Sequence, residues 1–194
     1  MKTYTSIISN LKELIDSAIE YAKNNNINKI LIFSKNGDSA KKLKIALGKE
    51  KSIKVVAVLF PANERFFNRD KNGEVKELIP NPVNTKSLQE LQKMEIACIY
   101  GTLPLENVIV PGTSNDVYNT IKRTLSLISP GLQLAIQGVL MATDQGILDN
   151  NEHVVSIVSD IAVDVRSANS RLMFHPKYGL NIEHIIAQKK KQVQ

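Results

Sequence analysis

The 194-residue chain has no tryptophan, one cysteine and three histidines. A single thiol, Cys98, leaves no internal disulfide and no cysteine-based zinc cluster. Three scattered histidines do not build a metal site either. Aromatic residues make up 5% of the chain, too few to suggest a base-stacking surface. Charge of one sign is also scarce. The 25 basic and 19 acidic residues give +6, and Lys189-Lys190-Lys191 holds half of that, so the body carries +3. That is a poor footprint for nucleic acid. No run approaches the ~20 apolar residues of a membrane span. The opening MKTYTSIISNLKELID reaches polar residues too soon for a signal peptide. These absences predict a soluble cytoplasmic protein with neither nucleic acid nor membrane as partner.

What is present is ordinary globular usage, 43% hydrophobic and 23% charged. The length suffices for one core without staples, read as a single domain over 1–188 followed by a basic tail, 189–194. Apolar residues at Ile7, Ile8, Leu11, Leu14, Ile15, Ala18, Ile19 and Ala22 predict a first amphipathic helix, closed by Asn24-Asn25-Asn26. Lys29–Phe33 reads as a buried strand and Ala40–Leu47 as a helix with Asp38 or Ser39 as N-cap. Ile53–Phe60 reads as a second strand, Ser87–Met94 as a short helix and Ile96–Tyr100 as a third strand. Pro61–Asn84 is the least regular part, a long loop that is either functional or partly ordered by a strand of its own. Helices are predicted from Ser114 or Asn115 to Ile128 and from Leu132 to Gln145, broken by Pro130-Gly131, with a strand as the alternative for the second. The last strands are placed at Val154–Val158, Arg171–Phe174 and Ile182–Ala187, with Ser159–Ser170 holding little beyond a turn or hairpin. Alternating helices and strands predict a three-layer αβα sandwich, its sheet mostly parallel with an antiparallel end.

One loop has the chemistry of an anion site. Ser34-Lys35-Asn36-Gly37-Asp38-Ser39 joins a strand to a helix start, where free N–H groups and the helix dipole attract phosphate. Ser34 and Ser39 add hydroxyls, Lys35 adds charge and Gly37 permits close backbone approach. The same residues also read as a plain turn, with Asp38 capping the helix or repelling the anion. Ligands of open parallel sheets sit at the carboxyl ends of the strands. That edge would add Arg65 and Arg69 as cations, Thr102 as a donor, and Asp160 and Asp164 as acceptors. Arg65 and Arg69 read equally as a solvated loop, and the two aspartates as turn formers. Asp144 sits in an apolar helix, either near the site or bonding local backbone. His175 stands beside Pro176 as a candidate acid or base, or as a surface residue. No nucleophilic triad and no paired carboxylates are visible.

Several strings resemble the C-terminal α/β domain of pyruvate kinase, and more closely the stand-alone proteins of unknown function built on that domain. They are IFSKNGDSAKKL, the segment NDVYNTIKRTLSLISPGLQLAIQGVLMATDQGIL with its Met141-Ala142-Thr143-Asp144-Gln145-Gly146 ending, and the tail VVSIVSD, RLMFHP and IEHIIA. The likeness spans nearly the whole chain. It implies that fold without the catalytic barrel, and hence no pyruvate kinase activity. It also implies an effector phosphate at the first strand-loop-helix, so that a nucleotide, flavin mononucleotide or sugar phosphate is the expected ligand. The resembled domain lies at subunit contacts, which implies a homo-oligomer. The chain departs from the stand-alone relatives at Phe60-Pro61-Ala62-Asn63, at Leu103-Pro104-Leu105-Glu106-Asn107 and at Ser159-Asp160-Ile161-Ala162. The remaining readings are an enzyme of unassigned chemistry using Asp144, Asp160 or His175, and a ligand-free oligomerisation module.

Overall fold

The computed structural model describes residues 5–61, 65–69, 72, 74–78, 83–105 and 116–189. In chain order the elements are β1 (Ser6–Ile8), α1 (Leu11–Asn24), β2 (Lys29–Phe33), α2 (Asp38–Leu47), β3 (Lys54–Val58), β4 (Phe66–Arg69), β5 (Val75–Leu78), α3 (Thr85–Lys93), β6 (Ala97–Ile99), α4 (Asp116–Ser126), α5 (Leu132–Asp144), β7 (His153–Val158), β8 (Ile161–Arg166), a 3-10 turn (Ser170–Leu172) and β9 (Asn181–Lys189). Seven strands form one sheet in the order β1-β9-β8-β7-β2-β3-β6, and β4 and β5 form a separate antiparallel hairpin. The central strands β7, β2, β3 and β6 run parallel. β8 pairs antiparallel with both β7 and β9, and β1 closes the far edge parallel to β9. The α/β class and the antiparallel end agree with the sequence pattern.

Strand alternation divides the core into two layers. Ile30, Ile32, Val55 and Ala57 face α1, α2 and α3, where they meet Leu14, Ala18, Leu43 and Leu91. Leu31, Val56 and Val58 face the opposite way, toward Leu132, Ile136, Val139 and Leu140 of α5. α5 is buried almost all round, from Ala135 to Ala142. α4 packs outside it through Tyr118, Ile121 and Leu125. The result is the three-layer sandwich.

Three sequence expectations are corrected. The first helix does not begin at Ile7. Asn10 caps it by accepting from the Glu13 amide at 3.0 Å, and Glu13 accepts in return from the Ser9 amide at 2.8 Å, so Ser6–Ile8 is released as an edge strand. Ser159–Ser170 takes the hairpin alternative and adds a strand where none was expected. Ser159-Asp160 suffices to reverse the chain, and β8 occupies Ile161–Arg166. Arg171–Phe174 is not a strand. Asn169 accepts from the Arg171 amide at 3.1 Å and starts a 3-10 turn there. The start of the helix predicted at Ser114 or Asn115 lies outside the described residues, as does most of the basic tail. Among the described residues no helix is long and apolar enough to cross a membrane.

Candidate functional site

The carboxyl ends of β2, β3 and β6 lie side by side, about 10 Å across the three strands at normal sheet spacing. At the middle of this edge Phe33 meets Phe60 edge-on, ring centroids 5.1 Å apart. β2 enters the loop through Ser34, which is 1% exposed and donates its amide to Val58 O at 2.9 Å. Lys35 and Asn36 are exposed. Gly37, at φ +88°, turns the chain into α2 and occupies the cap position in place of Asp38 or Ser39. A Cβ there would stand 3.0 Å from Leu91 Cδ1, so α3 packs directly beneath the loop.

The first amides of α2 meet neutral oxygens of the chain itself. Asp38 N donates to Asn36 Oδ1 and Ser39 N to Ser34 Oγ, both at 3.2 Å, the long end of the normal range. The Asp38 carboxylate takes Asn36 Nδ2 at 2.6 Å and lies 3.6 Å from Lys41 Nζ. Lys41 also bridges to Glu90 of α3, and that contact raises the lysine above its ordinary range and lowers the glutamate below its own. Lys35 forms no ion pair among the described residues.

The other anticipated residues divide. Thr102 follows β6 and is exposed on the same edge. Its loop is pinned at both ends: Gln145 Nε2 donates to Tyr100 O at 2.8 Å, and Leu105 N donates to the fully buried Gln137 Oε1 at 2.8 Å. Arg65 precedes the β4–β5 hairpin and pairs with Glu77; the Arg69 side chain lies outside the described residues. Asp160 is on the β7–β8 turn, where Ser129 Oγ and Gly131 N donate to it. It supplies the anion at the α5 N-terminus, as a capping carboxylate does.

Asp164 is not at this edge. It sits inside antiparallel β8, 1% exposed, toward the opposite end of the sheet. There Tyr21 OH donates to its Oδ2 at 2.8 Å, and His153 Nε2 stands 2.5 Å from its Oδ1. His184, its cross-strand neighbour on β9, stacks on Tyr21 at 5.5 Å. Sequence reasoning missed this cluster, although a carboxylate within the β-branched run IAVDV was its signal. Asp144 binds neither ligand edge nor local backbone: its Oδ1 accepts from Asn169 Nδ2 at 2.7 Å and Ser170 N at 2.9 Å. Cys98 is half-buried, and burial raises its thiol.

No protein-family model matches the sequence. Among solved structures the chain is similar to pyruvate kinase from Cryptosporidium parvum: one structure at 12% identity and TM-score 0.39, covering 84% of this chain and 23% of that one. A second matches at 11% identity and TM-score 0.36, covering 77% and 21%. A third, in complex with ADP, matches at 10% identity and TM-score 0.36, covering 94% and 24%. The chain thus spans less than a quarter of each of these kinases.

Proposed function

We propose that the chain is a binding domain for a small phosphorylated molecule, held at the carboxyl edge of β2, β3 and β6. The observation that carries this reading is the pair of long hydrogen bonds at the start of α2. Asp38 N and Ser39 N are engaged only by neutral side-chain oxygens at 3.2 Å. A phosphate oxygen is a stronger acceptor for the same amides, because charge-assisted bonds are shorter and about twice as strong. Asn36 is exposed and would exchange its bonds to the Asp38 amide and carboxylate for solvent as the anion enters, Lys35 supplies the opposing charge, and Lys41 lies beside the Asp38 carboxylate. Ser39 and Thr102 offer hydroxyls on the same rim. A nucleotide, flavin mononucleotide or sugar phosphate meets these demands equally.

A thermal-shift series with flavin mononucleotide, AMP and glucose 6-phosphate tests the reading. Ligand at a hundredfold excess over Kd stabilises by about 2.7 kcal/mol, roughly 5–10 °C for a chain of this size. Ser39→Glu places a fixed carboxylate in the notch and should abolish the shift while leaving the fold intact. Flat curves with all three compounds would overturn the proposal.

Self-association is the second reading. It is favoured by Val117, Leu127 and Ile128, apolar residues of α4 and its C-terminal turn that are 68%, 76% and 42% exposed. Light scattering across a concentration series should then give a mass above 21.6 kDa.

A further inference from the structure

A cleft of roughly 390 Å³ opens on the α4–α5 side of the sheet, lined by Pro104 and Leu105, α4, α5 and the segment around the 3-10 turn. We infer that it is a binding site for a small amphipathic carboxylate, separate from the strand-edge site. Its volume falls in the range of small-molecule sites. Leu105, Ile121, Leu140 and Met173 give it an apolar lining. Leu140 and Met173 belong to the α5-side core, so this part of the lining is fixed by packing.

The polar lining residues are Tyr118 of α4 and, from the segment around the 3-10 turn, Ser170, Arg171 and His175. Arg171 lines the cleft, and among the described residues its guanidinium has no carboxylate partner. Its backbone is fixed, because its amide is held by Asn169 and the preceding amide by Asp144. His175 lines the same side. Its Nδ1 accepts from Lys177 N and Tyr178 N, both at 3.1 Å. With Nδ1 occupied as an acceptor, the ring proton sits on Nε2, making that nitrogen a donor. Two donors beside an apolar lining match a ligand with an anionic head and a short hydrocarbon body. A planar carboxylate suits the guanidinium fork.

Octanoate is the probe, followed by titration calorimetry and by methyl chemical shifts of Leu140 and Met173. Saturable one-to-one binding with shifts at both methyl groups is expected. Affinity should rise by up to about fourfold per methylene from butanoate to octanoate. Arg171→Gln, an exposed substitution, should weaken octanoate about tenfold. Acetate and 1-octanol, which carry the head or the tail alone, should bind at least about tenfold more weakly. Non-saturating uptake, shifts confined to other methyl groups, or equal affinity in Arg171→Gln would overturn the assignment. These readouts are independent of Ser39→Glu and of the phosphorylated probes, so the two sites fail or survive separately.

Discussion

Gly131 donates its amide to Asp160 Oδ2 at 2.9 Å, and a Cβ at 131 would lie 1.9 Å from the other oxygen of the same carboxylate. This contact joins the α4–α5 break to the β7–β8 turn. It fills with a protein carboxylate the helix N-terminus that would otherwise draw an anion.

Gly131→Ala should therefore force the turn and the helix start apart. Overpacking of this kind costs about 1–3 kcal/mol. Asp160→Ala should remove the cap and leave Ser129 and Gly131 without their acceptor, at about 1–2 kcal/mol. Urea denaturation of the two variants checks both. If the proposed phosphate site lies at α2, Asp160→Ala should lower the baseline melting temperature and leave the ligand-induced shift intact.

Tyr21 and Asp164 give a pH-dependent prediction. Burial, then the hydrogen bond to Asp164, raise the Tyr21 hydroxyl above its ordinary value of 10.0. The folded state thus holds this proton more tightly than the unfolded chain does. The resulting stability is complete below pH 10.0 and declines as pH climbs beyond it. Tyr21→Phe should flatten that alkaline decline without abolishing it, because burial also raises Tyr100. At neutral pH the same variant leaves Asp164 Oδ2 without its donor in a 1% exposed site, costing about 1–3 kcal/mol. Urea midpoints measured between pH 7 and pH 11 separate the two effects.

Gln137 is the polar residue hidden in the apolar α5. Its Oε1 holds the Leu105 amide and its Nε2 donates to Gln133 at 2.6 Å. Gln137→Leu keeps the volume but strands a buried backbone N–H, at about 1–3 kcal/mol. Faster amide exchange at Leu105 should accompany the loss. Because Leu105 also lines the α4–α5 cleft, the variant should weaken octanoate as well.

Legibility followed local chemistry. α1, α2, α3 and α5 were readable because their apolar stripes have helical period and their ends carry Asn or Gly. β2, β3 and β7 were readable because strands buried on both faces are continuous apolar runs. β1 was lost because Ile7 and Ile8 continue the α1 stripe in period, and only the Asn10 cap separates them. β8 was obscured by Asp164, whose partners are His153 on the neighbouring strand β7 and Tyr21 of α1, 143 residues away in the chain. Such a partnership has no local signature. The strand-edge loop was located correctly by its strand-loop-helix pattern. The cap falls on Gly37 rather than Asp38 or Ser39, at a left-handed φ of +88°, and the packing of Leu91 against that glycine, from 54 residues later, has no local signal.

Gly37 supplies the last prediction. At φ +88° an L-residue is strained by about 1–2 kcal/mol. An added Cβ would also press on Leu91, a fully buried side chain that anchors α3 to the core. Gly37→Ala should thus destabilise by more than the backbone term alone and loosen α3 against α2. Loss of the Lys41–Glu90 bridge should follow, since it spans the same two helices. Urea denaturation gives the total. Glu90→Gln, made in the wild-type chain and in the Gly37→Ala variant, isolates the bridge: a smaller effect in the variant would show that displacement of α3 had already broken it. Equal effects in the two backgrounds would mean that α3 stays docked and that the cost of Gly37→Ala is backbone strain alone.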